Sequence, residues 1–225
     1  MIRFEHTSVM NFENAIRGMR NPLQSWGKSD SYYCLSGADC IGCPLEDTHS
    51  CLGHGNTYVL GPNDLRLAKN LRKAGSDHRK YLRQIFVSVD VTAPLYFYKE
   101  LDTYKISTVA NSTSTMHTIH KKKFEIDDFS HDHMSDHNIA VLSYVILNLN
   151  IYRENFLSTN DKQHWWDMIQ LLPSSYNQTR TVTMNYENLI NMYHARKSHK
   201  LQEWHTFCEW IETLPYAREL IIGGE

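Results

Sequence analysis

The stretch Val91–Lys105, VTAPLYFYKELDTYK, decides the fold. Ahead of it runs an alternation, with Ile85, Val87, Val89 and Val91 on one side and Phe86, Ser88, Asp90 and Thr92 on the other. A period of two puts successive side chains on opposite faces of a pleated backbone, so this run predicts a half-buried strand. Pro94 has no amide proton to give to a ladder and ends the strand. Leu95, Tyr96, Phe97, Tyr98, Lys99, Glu100 and Leu101 then mix aromatic and charged residues at helical spacing, which predicts a short helix with a polar far end. A site is readily built where a strand hands over to such a helix.

Working outward, Ser107–His117 reads STVANSTSTMH, a polar run of hydroxyl and amide donors. Upstream, GPNDLRLAKNLRKAGSDH predicts a helix capped by Asn63, turning Leu65, Leu67, Ala68 and Leu71 to a core and closing at Gly75. NFENAIRGMR, residues 11 to 20, predicts a short amphipathic helix through Phe12, Ala15, Ile16 and Met19, ended by Asn21-Pro22, with Trp26 packed from the following loop onto the core. Downstream, Asp136 or Asn138 is expected to cap a long helix. Its Ile139, Leu142, Tyr144, Val145, Ile146, Leu149 and Ile151 give an almost wholly apolar girth, suited to a core or to a contact between subunits. DKQHWWDMIQLLP predicts a further helix and TRTVTMN a strand. The last helices carry Arg196 and Gln202 and a packing face of Leu201, Trp204, Phe207, Cys208 and Ile211. Many helices with few strands predict an α+β fold.

Three blocks in order resemble the flavin-dependent thymidylate synthases, the ThyX family. In that family a strand ending in Ala-Pro leads through a helix to the signature R-H-R-x-x-S and a polar run. Here Ala93-Pro94 matches the Ala-Pro, Thr103-Tyr104-Lys105 stands where R-H-R would be, and Ser107–His117 supplies the polar run without the family's Glu and Arg. NYENLINMYHARKSHKLQEW matches the family's C-terminal block, with Asn185, Leu189, Arg196 and Gln202 in register and Trp204 one position away from the family's Trp. LRKAGSDH resembles the segment ending Gly-His-Glu, with His78 in register. The likeness runs over about residues 60 to 210.

The resemblance implies a ThyX-like fold, a small antiparallel sheet packed by several helices, with residues 1–225 forming one domain. It implies reductive one-carbon transfer to the C5 of dUMP or a related pyrimidine nucleotide, with FAD, NADPH and methylenetetrahydrofolate as cofactors. It also implies a homotetramer with active sites where subunits meet. Of the three signature residues, only Lys105 keeps a charge. A catalytically inactive nucleotide-binding or regulatory protein on the same scaffold is therefore the alternative to an active methyltransferase. By the same likeness, Arg196, Gln202, Asn111, Ser112 and Ser114 are expected at the nucleotide, and His78, Tyr104, Lys105 and Asn185 at the cofactor. The residues themselves add Arg79 and Arg83, cations placed just ahead of the organising strand, as partners for a phosphate.

The 225 residues, 41% of them hydrophobic, suffice for one sizeable core. A net charge of −2 and a pI near 6.7 argue against general nucleic-acid binding through a broad basic face, while a local anion site stays open. No apolar run is long enough to span a bilayer, and the polar start MIRFEHTS does not read as a signal peptide, so a cytoplasmic protein is expected.

Cysteines are concentrated: Cys34, Cys40, Cys43 and Cys51, four of five, fall within eighteen residues. Two thiolates at C-x-x-C spacing can share one metal and two more complete a tetrahedron, so residues 34–54 are a candidate metal-binding insert. Structural zinc is the first reading, with an iron–sulfur cluster or free thiols beside it. His117, His120, His131, His133 and His137 also invite a metal, but they stand among charges in predicted loop.

Overall fold

Alternation and its interruptions lay out the elements, which a computed structural model describes for residues 2–34 and 57–223. β1 (Arg3–Met10) precedes α1 (Phe12–Met19), which buries Phe12, Ala15, Ile16 and Met19 on one face. A short 3-10 turn at Asn21–Leu23 ends that helix, as its Asn-Pro requires. β2 (Tyr32–Cys34) and β3 (Thr57–Val59) pair antiparallel, with Tyr32 opposite Val59, Tyr33 opposite Tyr58 and Cys34 opposite Thr57. Next come α2 (Pro62–Lys73), β4 (Phe86–Pro94), α3 (Leu95–Leu101), β5 (Val109–Ser112) and α4 (Thr115–Thr118). Then follow α5 (Asp136–Thr159), α6 (Lys162–Leu171), β6 (Asn177–Asn185), α7 (Tyr186–Arg196) and α8 (Gln202–Glu212). The result is the expected mixture of helices with small sheets. The larger sheet has the strand order β1-β4-β6-β5.

The organising stretch folds as read. Ile85, Val87, Val89 and Val91 are buried, Phe86 faces out, and Pro94 is the last strand residue before α3 starts at Leu95. The side-chain pairs Ser88 with Thr183, Asp90 with Thr181 and Thr92 with Thr179 step in opposite directions along β4 and β6, which makes the two strands antiparallel.

The chain forms two compact units. The first comprises Met1–Glu5, Asp90–Lys105 and Ala110–Val182. Its core packs Ile119, Phe124, Phe129, Leu142, Ile146, Leu149 and Met168, with Trp165, Ile169, Leu172 and Tyr176 against them. Here α5 corrects two expectations. Ser135, not Asp136 or Asn138, is its N-cap, accepting from the Asn138 amide. The apolar girth is buried on one side only: Leu142, Ile146 and Leu149 face the core, while Val141, Tyr144, Leu147 and Ile151 are exposed. A hydrophobic residue at every angle satisfies periodicity without saying how many sides find a partner.

Tyr98 of α3 is buried in the same unit. Its hydroxyl proton points between the Val91 carbonyl at 2.6 Å and the Gln178 carbonyl at 3.0 Å, and burial pushes its phenol well above the ordinary tyrosine value.

The second unit comprises His6–Val89, Ile106–Val109 and Thr183–Glu225. Its packing face of Trp204, Phe207, Cys208 and Ile211 is buried as predicted. Trp26, by contrast, is 47% exposed and donates from Nε1 to Asn21 Oδ1 at 2.9 Å, so it packs on the loop rather than the core. At α2 the predicted Asn63 cap is replaced by Asp30, whose carboxylate accepts the amides of Asn63 (2.9 Å) and Asp64 (3.1 Å). Gly61 makes this approach feasible, because a Cβ there would stand 2.3 Å from Asp30 Cγ.

Behind that cap lies a buried ion pair. Arg20 Nε donates to Asp64 Oδ1 at 2.5 Å, with the two residues 3% and 0% exposed. Asp64 Oδ2 accepts from the hydroxyls of Ser29 and Ser31 and from the amides of Asp30 and Ser31. The other Arg20 nitrogens donate to the carbonyls of Ser25 and Lys28. Burial pushes the Asp64 carboxyl up, but the hydrogen bonds from Ser31, Ser29, Arg20 and the Asp30 amide outweigh it and hold the carboxyl below its usual value. None of the described helices is long and apolar enough to cross a membrane.

Two outcomes follow from these contacts. Asp64→Ala strands the Arg20 charge and is expected to cost about 3–5 kcal/mol in urea unfolding at pH 7. Because the folded carboxyl is depressed, its contribution is full above the unfolded value of about 3.9 and is lost as pH falls below it. The difference between wild type and variant should therefore shrink below about pH 4; a constant difference would contradict the assignment. Tyr98→Phe removes one donor from two carbonyls and should lower the unfolding free energy by about 1–3 kcal/mol, read as a lower urea midpoint at unchanged slope.

Candidate functional site

In the first unit the polar groups gather around Arg180 of β6. Its Nε donates to Gln178 Oε1 at 2.9 Å, and its Nη1 reaches both Asp102 oxygens, at 2.9 and 3.2 Å. The guanidinium plane lies over the Tyr98 ring, 3.8 Å from its centroid. Gln178 is itself fixed, because its Nε2 donates to the Thr113 carbonyl at 2.7 Å and to Thr115 Oγ1 at 3.3 Å. The polar run after the signature position thus lies beside β6, with Thr113 N also donating to the Thr179 carbonyl. Asp102, which holds the other side of Arg180, immediately precedes Thr103-Tyr104-Lys105.

Of the residues anticipated in this unit, Asn111 and Ser112 lie exposed on β5, the end strand of its sheet. Ser114 caps α4, its Oγ accepting from the His117 amide at 3.2 Å, so that hydroxyl has a structural duty. Tyr104 is half-buried and Lys105 exposed. Sequence reasoning missed Arg180, Gln178 and Asp102. The available signal was a single cation in an otherwise hydroxyl-rich strand, TRTVTMN.

In the second unit Arg196 ends α7 and Gln202 begins α8, so the two flank one short link. Trp204 is fully buried, and the Arg196 guanidinium sits over its ring, 4.6 Å from the centroid. The head group is thereby oriented rather than left to wander along a helix end. Asn185 has a structural role: it caps α7 in a reciprocal pair with Asn188, whose Nδ2 donates to the Ile106 carbonyl at 2.7 Å.

Arg79 is held by Glu187, its Nε 2.9 Å from Oε2, and Arg83 is exposed with one 3.4 Å contact to the Ser76 carbonyl. His78 is exposed at the rim of a cavity of about 530 Å³, whose walls include Met19, Leu71, Tyr81, Lys80 and Gln84. That size falls in the range of small-molecule sites, and its apolar walls with a few polar edges suit a planar ring system.

The metal expectation falls mostly outside the described residues, where Cys40, Cys43 and Cys51 belong. Cys34 is half-buried at the end of β2. Among the described residues no group of three His, Cys, Asp or Glu side chains could hold a metal ion. His131 instead contacts the Phe129 carbonyl through Nδ1, and the His120 ring packs edge-on against Phe156.

No protein-family model and no curated protein sequence matches the chain. Solved structures do. Thymidylate synthase X (ThyX) from Helicobacter pylori with FAD and dUMP is 17% identical at a TM-score of 0.62, over 98% of this chain and 96% of that one. A second structure of the Helicobacter pylori flavin-dependent thymidylate synthase ThyX, complexed with FAD and dUMP, gives a TM-score of 0.63 at 17% identity, over 98% and 97%. The UMP/dUMP methylase PolB from Streptomyces cacaoi, bound with 5-Br dUMP, is 14% identical at 0.58, over 99% and 95%. At such identities the likeness is one of architecture: this chain has the ThyX-like fold.

Proposed function

We propose that the chain is a ThyX-like enzyme of pyrimidine nucleotide metabolism that performs a flavin-dependent reductive one-carbon transfer to C5 of dUMP or a related nucleotide. The observation that carries this reading is the shared architecture over 98% of the chain with proteins whose structures hold FAD and dUMP. The likeness to a UMP/dUMP methylase supports the wider choice of nucleotide. Such coverage also supports treating residues 1–225 as one ThyX-like domain.

On this reading the chain's own side chains bind and orient. Arg196, pinned over Trp204, offers a fixed planar fork to a phosphate or uracil carbonyl. Gln202, across the α7–α8 link, is the second donor proposed there. The cavity beside His78, about 530 Å³ with Lys80 and Gln84 as polar edges, is the proposed seat of the flavin ring. When bound, the flavin supplies the redox chemistry, and the protein contributes position and electrostatics. NADPH as reductant and methylenetetrahydrofolate as one-carbon donor belong to the same proposal.

The exposed apolar stripe of α5, Val141, Tyr144, Leu147 and Ile151, supports a homotetramer, because a row of this kind on a lone chain is an unmet contact.

Three measurements test the reading. Purified protein should be yellow or take up flavin on reconstitution; colourless protein that binds dUMP and no flavin favours the inactive nucleotide-binding alternative. Calorimetry should show dUMP affinity reduced at least about tenfold in Arg196→Ala, whereas unchanged affinity removes that residue from the site. Light scattering should return a multiple of 26.3 kDa, and a monomer at micromolar concentration would overturn the assembly.

A further inference from the structure

The Arg180 cluster is organised beyond what packing needs. A guanidinium has five N–H donors in a rigid plane. One is taken by Gln178 and the Nη1 edge by Asp102, while Nη2 has no partner among the described residues. Tyr98 supports one face of the plane, and Gln178 is held in turn by Thr113 and Thr115, so the head group is fixed before any ligand arrives. Its two carboxylate bonds are of a different kind. The Arg180 side chain is 16% exposed and that of Asp102 is 56% exposed. An ion pair with so wet a partner is weak and easily exchanged.

We propose that Arg180 is a phosphate-binding residue of this fold and that Asp102 occupies its fork until a phosphate oxyanion displaces it. The position fits the departure in sequence. Thr103 and Tyr104 bring no cation to the turn after α3, and β6 sends one to the residue directly before that turn. The exchange is chemically simple: Asp102 swings into solvent, and two phosphate oxygens accept from Nη1 and Nη2, with the Thr115 hydroxyl, which only accepts from Gln178, on the adjoining segment. That the phosphate belongs to a nucleotide rests on the function proposed above; the anion site itself does not. The same chemistry serves the monophosphate of a nucleotide or the pyrophosphate of FAD.

The test uses the full chain. Phosphorus NMR follows inorganic phosphate, and calorimetry compares dUMP with deoxyuridine and FAD with riboflavin. Arg180→Gln should weaken phosphate and one of the two phosphorylated ligands at least about tenfold, leaving deoxyuridine and riboflavin unchanged. Asp102→Asn, which keeps the guanidinium and removes its competitor, should tighten the same ligands severalfold, and it decides the matter if Arg180→Gln does not fold. Loss of dUMP affinity identifies the nucleotide, and loss of FAD affinity the flavin. Phosphate binding that depends on Arg180 without any dUMP binding supports the anion site while removing the enzyme reading. The proposal is overturned if phosphate does not bind, if both variants bind as wild type does, or if Arg180→Gln lowers only the melting temperature.

Discussion

The antiparallel register of β4 and β6 is the constraint on which the chemistry of this fold depends. Side chains alternate along a strand, so a slip of one residue would turn the buried set of one strand outward against its partner. In the observed register Val87, Val89, Val91, Val182 and Met184 are all buried. The opposite positions carry Ser88 with Thr183, Asp90 with Thr181 and Thr92 with Thr179, each pair joined by a hydrogen bond. One face is thus dry and the other is a ladder of hydroxyls and a carboxylate. Arg180 lies on the other side of β6, in line with Gln178, Val182 and Met184, so the dry face ends in a polar group beside the Thr92–Thr179 rung.

Much of this was legible because it is periodic. The alternation from Ile85 to Val91, the face of α1 and the packing side of α8 each repeat a spacing that only one backbone geometry satisfies. What the sequence hid was pairing between distant residues. Asp30 caps a helix that starts thirty-two positions later, at Pro62, and nothing around Asp30 announces it. Arg180 looks like one exposed position in an ordinary strand until β6 is set beside Tyr98 and Asp102. In α5, apolar residues at every angle concealed which side would be covered. The Cys34, Cys40, Cys43 and Cys51 spacing raises a question that the described residues do not reach. For the candidate site, Arg196 and Trp204 both stood out in the sequence, but that the guanidinium sits over the ring came from packing.

The cations of this chain divide by what surrounds them. Arg20 is buried with every side-chain nitrogen donating to an acceptor, and it serves the loop around Asp64. Arg79 is drawn to Glu187. Arg196 and Arg180 share another arrangement, a guanidinium carbon placed over an aromatic ring, 4.6 Å and 3.8 Å from its centroid. Stacking on Trp204 or Tyr98 removes rotational freedom from a long side chain, so a ligand meeting either group has less disorder to suppress. Lysine, a point charge on a flexible stem, would not reproduce that orientation, which separates these sites from Lys105 in the turn after α3.

The β2–β3 pairing has a consequence for how this chain tolerates change. Cys34 and Thr57 stand opposite one another in the hairpin, and the Tyr33 and Tyr58 rings meet edge-to-face at 5.0 Å just behind them. The two ends of the segment that joins these strands are therefore held side by side. The entropic cost of closing a connection grows only with the logarithm of its length, about 0.6 kcal/mol for each doubling. Lineages could lengthen, shorten or replace residues 35–56 while Asp64, Arg20 and α2 stay as they are. The hairpin is in that sense a socket, at which a new module can be gained or lost without renegotiating the fold.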